Sequence, residues 1–371
     1  MNAKVIGENL KRIRLSQGKT QETLAVEAGI SLPGLRNFEN GKNAPKVDVL
    51  LNLGNALGVG FSELIKEVKM PQAIRFRAQK KLKTREQIIL ESMKRLNGLN
   101  EVEELLKQPT KFNKKIEVSK KKGDALAQEI RKELKLGDQP IYNICGIFEK
   151  IGVKVLPMVF FSDSFFGMAI GEEDGGPAVV INVWERIPVE RWIFSAAHEL
   201  GHILMHRDSF RVQEENEDPE STVEKEANEF ASYLLMPKTR FDEEWDKSAG
   251  LPFLDRVFKI KRLFRVSYAT ILYRLKDSYQ GNIWITFYTH FKRKFNRSLT
   301  RKEEPQSIVV TNEAGEEPKR LDAVDFFEDR TSRLVREALG KSLLTRGRGA
   351  EILGISAEEM MDRIEDWKNE N

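Results

Sequence analysis

The clustering of the histidines limits the structures and functions open to this sequence more than any other feature does. The chain of 371 residues contains four histidines, and three of them, His198, His202 and His206, lie within residues 198–206. The positions around them are apolar and include Ile193, Phe194, Leu200, Ile203 and Leu204. Because a buried imidazole is stable only with polar partners, a helix of this composition has to bring other polar groups to its histidines.

The spacing of these residues is typical of a metal site. His198 and His202 are four residues apart, so a helix places both imidazoles on one face, one turn apart. Two imidazoles in this position can share a tetrahedral zinc ion. Glu199 follows the first histidine and can act as general base toward water. The pattern His-Glu-x-x-His therefore predicts a hydrolytic metal centre, and the alternative is a helix with two surface histidines.

A third ligand is expected from a second helix, which follows an acidic loop and contains several carboxylates. Glu224 and Asn228 are one turn apart on one face, so Glu224 is predicted to bind the metal. Asn228 is predicted to hold a liganding histidine from the second shell of contacts. Glu226 shares a face with Phe230 and Tyr233, which favours an outward or packing position, and it is the alternative ligand.

The N-terminal part of the chain has a different organisation. Apolar positions recur at helical spacing in short pieces over residues 6–65, which predicts five short helices. Residues 20–41 place a helix, a turn at Gly29 and a second helix at helix-turn-helix spacing. This arrangement predicts a DNA-binding domain, and the alternative is a helical domain that contacts protein.

This N-terminal segment resembles the lambda-repressor-like XRE family. The matching positions are Gln21, Ala25, Gly29, Ile30, Ser31 and the ending Phe38-Glu39-Asn40-Gly41. In such folds the start of the second helix enters the major groove. The resemblance therefore implies DNA contacts at Gln21, Ser31, Leu32, Pro33, Arg36 and Asn37. Leu35 and Phe38 are expected in the core, and the run Leu32-Pro33-Gly34 leaves few polar groups for reading bases.

The second half of the chain resembles the ImmA/IrrE family of metallopeptidases. The resemblance rests on residues 194–206, 224–231 and 234–237, within a match over about 141–240. It implies a thermolysin-like site with one zinc per chain, or manganese in its place, held by His198, His202 and Glu224, with Glu199 as the catalytic base. It also implies that the substrate is a repressor-type regulator. His206 belongs to the family pattern but lies off the ligand spacing, so it is expected to make a contact at the helix end.

The expected fold is α+β and mainly α, with a five-helix domain, a gluzincin-like domain containing a small sheet, and a helical C-terminal region. The predicted domains are residues 1–68, a helical linker over 69–122, a peptidase domain over 123–280 and a packing or dimerisation element over 281–371. Strands are predicted over 154–160, 165–171 and 177–182, with a further strand over 282–288.

Composition indicates the class of protein and its location in the cell. Charged residues make up 32% and hydrophobic residues 40% of the chain, which is typical of a globular protein. The apolar stretches are far shorter than the roughly 20 residues that span a bilayer, and no signal peptide is recognised at the start. These features predict a cytoplasmic protein without a membrane partner. The single cysteine, Cys145, is expected to be buried by packing.

Together the motifs predict a DNA-binding transcriptional regulator whose zinc endopeptidase domain cleaves a repressor-type protein in a stress, phage or mobile-element response. Its expected partners are double-stranded DNA, that protein substrate and a second copy in a homodimer. One alternative is a non-proteolytic transcription factor or antitoxin-like regulator with a structural or sensory metal site. Another is a metal-dependent scaffold that recruits regulators. Glu199 argues against a structural site, which needs no general base.

Overall fold

The computed structural model describes residues 2–65, 74–78, 85–113, 123–206, 222–300, 303–305, 321–326 and 328–369. The chain divides into two compact units. The first comprises Met1–Pro71 and Leu82–Met93, and the second comprises Gln72–Lys81 and Lys94–Asn371. The fold is mainly α with one small sheet, which confirms the predicted fold class.

The first unit contains the five short helices that the sequence predicts. They are α1 (Ala3–Ser16), α2 (Gln21–Glu27), α3 (Leu32–Glu39), α4 (Val47–Leu57) and α5 (Phe61–Ile65). Thr20 and Ser31 begin α2 and α3, since each side chain accepts a hydrogen bond from a backbone N–H of the first turn. Gly29 joins these helices with a φ of 66°, a left-handed conformation that glycine adopts without strain.

The second unit is built around a four-stranded sheet. Its strands are β1 (Ile74–Ala78), β2 (Lys154–Met158), β3 (Phe165–Ile170) and β4 (Ala178–Asn182), in the order β1-β3-β4-β2. β2 and β4 are parallel, whereas β3 is antiparallel to both β1 and β4. The three strands predicted before residue 183 are confirmed. The prediction of a helical linker over 69–122 did not include β1, which lies inside that range.

Twelve further α-helices lie in the described part of the chain. They are α6 (Arg85–Leu105, divided between the units), α7 (Gly123–Glu133), α8 (Ile144–Ile151), α9 (Val189–Met205), α10 (Thr222–Leu235), α11 (Lys238–Lys247), α12 (Phe253–Phe264), α13 (Tyr268–Leu275), α14 (Ile283–Phe295), α15 (Arg330–Gly340), α16 (Arg346–Leu353) and α17 (Ala357–Asn369).

The strand predicted over 282–288 is wrong, because these residues begin α14. Ile283, Phe287 and Phe291 recur at every fourth position and are all buried. The side chain of Asn282 caps the helix by accepting hydrogen bonds from the backbone N–H groups of the first turn. Tyr268 stacks on Phe287 with ring centroids 4.7 Å apart. Burial of one helical face therefore overrides the strand propensity of this aromatic and β-branched segment.

The helix that carries the three histidines, α9, is central to the second unit. It packs against β3 and β4 and against α10, and fourteen of its residues are buried. A Cβ atom at Gly201 would lie 3.0 Å from Phe230 Cδ1 and 3.4 Å from Ala227 Cα. Glycine at this position therefore allows the close approach of α9 and α10. The described helices include none that is both long and apolar enough to cross a membrane.

Cys145 is buried on α8, and burial raises the pKa of its thiol. This position is in keeping with the predicted packing role.

Two ion pairs connect the C-terminal region with α6. Arg330 pairs with Glu103 at 3.1 Å and Arg348 pairs with Glu101 at 2.6 Å. These ion pairs hold α15 and α16 against α6.

One buried ammonium group near the start of α9 faces two carboxylates. Lys261 Nζ lies 2.5 Å from Glu190 Oε1 and 3.2 Å from Glu304 Oε2. Burial is the main cause that raises the pKa of Glu304 to about 7; Lys261 opposes the shift and Glu190 adds to it. Since one positive charge is shared by two acids, the cluster is expected to take up a proton near neutral pH.

This cluster gives a pH dependence of stability. The raised pKa of Glu304 means that the folded state keeps a proton that the unfolded chain has already lost. Stability from this group is therefore full below the unfolded pKa of about 4.3 and declines as the pH rises to about 7, by up to about 4 kcal/mol. Glu304→Gln is expected to remove this decline in urea unfolding measured from pH 4.5 to 8. Glu303→Gln is the matched control, and equal pH profiles for Glu304→Gln and the parent chain would contradict the assignment.

Candidate metal centre

Three predicted ligands converge between α9 and α10. The ligand atoms of His198, His202 and Glu224 all lie within 4.8 Å of one another, and the three residues are buried. The Nε2 atoms of the two histidines are 2.9 Å apart. The Glu224 carboxylate lies 3.3 Å from His198 Nε2 and 3.1 Å from His202 Nε2. Two imidazole nitrogens and one carboxylate therefore point at a common centre.

The chemistry of this donor set fits a divalent metal ion. Two histidines and one glutamate form a ligand set found in catalytic zinc enzymes. Burial lowers the pKa of His202 well below its usual value, so its imidazole is neutral, as a ligand must be. Burial alone would raise the pKa of Glu224, but its contacts with His198 and His202 lower it. The site thus combines two imidazoles with an ionised carboxylate.

Asn228 contacts the far side of the first histidine. Its Oδ1 atom lies 2.9 Å from His198 Nδ1. An amide oxygen can only accept, so His198 Nδ1 carries the proton and donates it to this bond. The other ring nitrogen, Nε2, then has a lone pair with which it can bind a metal ion at the centre that it shares with His202 and Glu224. Asn228 thereby fixes both the orientation and the tautomer of His198.

The second histidine is held by a longer chain of contacts. His202 Nδ1 lies 3.0 Å from His206 Nδ1, and His206 Nε2 lies 3.0 Å from Glu226 Oε2. If His202 Nε2 binds a metal, its Nδ1–H donates to His206, whose own Nε2–H donates to Glu226. The sequence analysis did not predict the contact of His206 with His202. The four-residue separation of these two histidines could have indicated it. Glu226, the alternative ligand, contacts His206 and lies outside the ligand group.

Glu199 is fully buried and follows His198 directly in α9. A Cβ atom at Gly167 of β3 would lie 3.3 Å from Glu199 Oε1 and 3.2 Å from the carbonyl oxygen of Val180. A larger residue at Gly167 would therefore crowd the Glu199 carboxylate. The backbone of β3 passes directly against the predicted base.

Arg75 joins the site from β1 and was not predicted from the sequence. Its Nη2 atom donates to Glu224 Oε1 at 3.3 Å, and the two side chains are only 7% and 8% exposed. Arg75 is opposite Ala169 in the pairing of β1 with β3. The ligand carboxylate is thus held from two sides, by the histidines and by a guanidinium from a strand 149 residues earlier in the chain.

In the first unit, the predicted DNA-contacting residues lie in and before α3. Arg36 Nε donates to Gln21 Oε1 at 3.3 Å, and Gln21 Nε2 donates to Glu39 Oε2 at 2.7 Å. Glu39 is buried and also forms a bidentate ion pair with Arg14. The surface residues Gln21 and Arg36 are therefore connected to the core of the unit.

The remaining positions of α3 differ in exposure. Ser31 and Pro33 are exposed, whereas Asn37 is half-buried. Leu32 is half-buried and packs against the core of the unit, so only part of its side chain can reach a ligand. Leu35 is fully buried and Phe38 packs partly buried against the same core. The exposed surface of α3 is formed mainly by Pro33 and Arg36, with Ser31 at its start.

Two family models match the chain, one within each compact unit. A family model described as an IrrE N-terminal-like domain matches residues 149–276, and a helix-turn-helix model matches residues 10–64. An HTH-type transcriptional regulator of Sinorhizobium fredii, y4dJ, is 39% identical over 62 residues, which are 17% of this chain and 80% of that protein. The chain belongs to the XRE-type helix-turn-helix regulators. It also carries an ImmA/IrrE-type metallopeptidase domain.

Two relatives of this regulator occur in Bacillus subtilis. The SPbeta prophage-derived HTH-type regulator YonR is 39% identical and the HTH-type regulator YqaE is 34% identical, each over 62 residues and 17% of this chain. The chain spans 57% and 53% of their respective lengths. No solved structure matches the chain. The similarity to these curated relatives is confined to the length of a helix-turn-helix domain.

Proposed function

We propose that this regulator is a zinc-dependent endopeptidase joined to a DNA-binding domain, and that its substrate is a repressor-type protein. The convergence of His198, His202 and Glu224 beside Glu199 is the observation that supports it most. When bound, zinc acts as a Lewis acid that polarises a peptide carbonyl and lowers the pKa of water. A structural site would not require a buried carboxylate next to its ligands.

The residues of the chain then have separate tasks in hydrolysis. His198, His202 and Glu224 hold the ion, while Asn228 and His206 orient the two imidazoles. Glu199 takes a proton from water as the oxygen attacks the peptide carbonyl carbon, and gives the proton to the amine nitrogen as the C–N bond breaks. Burial of Glu199 against β3 keeps this carboxylate in one position.

The proposed DNA-binding domain comprises residues 1–68, and its α3 would enter the major groove. Arg36 and Gln21 supply most of the polar groups, with Ser31, Pro33 and Asn37 beside them and Leu32 making a lesser contact. Family analogy suggests a homodimer on double-stranded DNA. The prophage origin in the name of one relative supports a role in a phage or mobile-element response.

The proposed peptidase domain comprises residues 123–280, to which β1 adds a strand from the segment 69–122. Residues 281–371 would serve as a packing or dimerisation element. We place this regulator in the cytoplasm, where its DNA and its protein substrate would both be available.

Elemental analysis together with a cleavage assay tests the proposal. We expect about one zinc per chain and cleavage of a mixed decapeptide library, followed by mass spectrometry. Removal of zinc with a chelator should stop cleavage, and added zinc should restore it, with manganese tested in parallel. A zinc-loaded chain that cleaves no library peptide would contradict the peptidase assignment and leave a metal-binding DNA regulator.

A further inference from the structure

The sheet of the second unit ends at β1, which covers the edge of β3. The two strands are antiparallel, with Arg75 opposite Ala169 and Arg77 opposite Gly167. β4 occupies the other edge of β3. Both edges of β3 are therefore paired. The residues of β1 that pair with one of these edges lie between the two predicted domains in the sequence.

This edge of β3 lies beside the reacting groups. Gly167 is the position whose Cβ would lie 3.3 Å from Glu199 Oε1. In an antiparallel pair, opposite residues project from the same face of the sheet. Arg75, opposite Ala169, accordingly reaches the Glu224 carboxylate at 3.3 Å. β1 thus runs along the strand nearest the base and also contacts a proposed metal ligand.

A peptidase with this geometry has an obvious place for its substrate. Extended peptides bind to sheets by adding a strand to an edge, because the backbone N–H and C=O groups of the edge pair with those of the peptide. An extended polypeptide that paired with β3 would bring its backbone next to Glu199. The residues 74–78 already satisfy the backbone groups that such a peptide would need.

From these contacts we propose that β1 is an internal competitor that occupies the substrate position, and that an extended substrate must displace residues 74–78. This inference rests on the proposed peptidase function. β1 pairs along the edge of β3 that such a peptide would use, and its Arg75 contacts the Glu224 carboxylate, so the segment keeps substrate away from the site. The buried ion pair between Arg75 and Glu224 holds the inhibitory strand in place.

A binding experiment tests the occupied edge without any need for catalysis. The probe is a fluorescein-labelled decapeptide with the sequence of Gln72–Lys81, and the host is the full zinc-loaded chain carrying Glu199→Gln. Adding Arg75→Glu sets a second carboxylate against Glu224 and should release β1. Fluorescence anisotropy is expected to show that the decapeptide binds the Arg75→Glu chain at least about tenfold more tightly than the parent chain. A tenfold change in Kd corresponds to about 1.4 kcal/mol.

The matched control is Arg330→Glu, which breaks the ion pair with the buried Glu103 of the same unit. It should bind the decapeptide as weakly as the parent chain. Arg75→Gln, which keeps an amide donor, replaces Arg75→Glu if glutamate lowers the zinc content. Equal decapeptide binding by the parent and by both Arg75 variants, at equal zinc content, would overturn the proposal.

A second arm uses chains with Glu199 intact and the decapeptide library. Release of β1 is expected to raise the rate of library cleavage at least about tenfold, and unlabelled decapeptide should reverse the increase. Tighter decapeptide binding without cleavage by any chain would support the occupied edge and count against the peptidase function. Cleavage at the same rate by the parent and the Arg75 variants would support the peptidase function and overturn the internal competitor.

Discussion

Glu199→Gln is expected to abolish peptide hydrolysis while the protein keeps its metal. Glutamine has nearly the same shape as glutamate, so the packing of α9 against β3 should persist around Gly167. It cannot accept the proton of the attacking water. Loss of general base catalysis alone lowers a rate by about 10²- to 10⁴-fold. The measurement is kcat/KM on a peptide that the parent chain cleaves, beside the zinc content of both proteins.

Glu190→Gln provides a matched control for this variant. Glu190 is also a buried carboxylate of α9, and its neighbour Lys261 retains Glu304 as a second anionic partner. Because Glu190 lies in the first turn of α9, eight residues before His198, and pairs with Lys261, kcat/KM should stay within a few-fold of the parent value. If Glu199→Gln cleaves peptides as fast as the parent, Glu199 has no part in the reaction.

Glu224→Ala is expected to abolish tight metal binding. Glu224 supplies the carboxylate of the ligand group and contacts both histidines. Substitution of groups that merely orient ligands costs about 10- to 100-fold in metal affinity, so loss of a ligand should cost more than 100-fold. Competition with a chromophoric zinc chelator measures this affinity.

The neighbouring residues of α10 give a graded comparison. Asn228→Ala removes the acceptor for His198, and Glu226→Ala removes the acceptor for His206. Each is expected to weaken zinc binding by about 10- to 100-fold. A larger loss from Glu226→Ala than from Glu224→Ala would exchange their roles and make Glu226 the third ligand.

The parts of the fold that could be predicted are those determined by local pattern. The four-residue separation of His198 and His202 placed both imidazoles on one face of a helix. The helical spacing of apolar residues and the turn at Gly29 likewise located α2 and α3. In each case the information lies within a few turns of one helix.

The parts that could not be predicted depend on how distant segments meet. Contact of Glu226 with His206 requires the relative rotation of α9 and α10, which neither helix encodes alone. Arg75 lies far from Glu224 in the chain, so only the strand order brings them together. The alternation of Ile74, Phe76 and Ala78 with two arginines is nonetheless a strand signal that could have located β1.

The pairing of β1 with β3 determines which fragments of this protein can contain the complete sheet. A fragment started at residue 123, or at the beginning of the IrrE-like match at 149, would lack the strand that covers β3. An uncovered strand edge pairs readily with other chains and promotes aggregation. The smallest fragment with all four strands of the sheet begins near residue 72. The sheet that carries the candidate metal centre is therefore completed by a strand that precedes the predicted peptidase domain in the sequence.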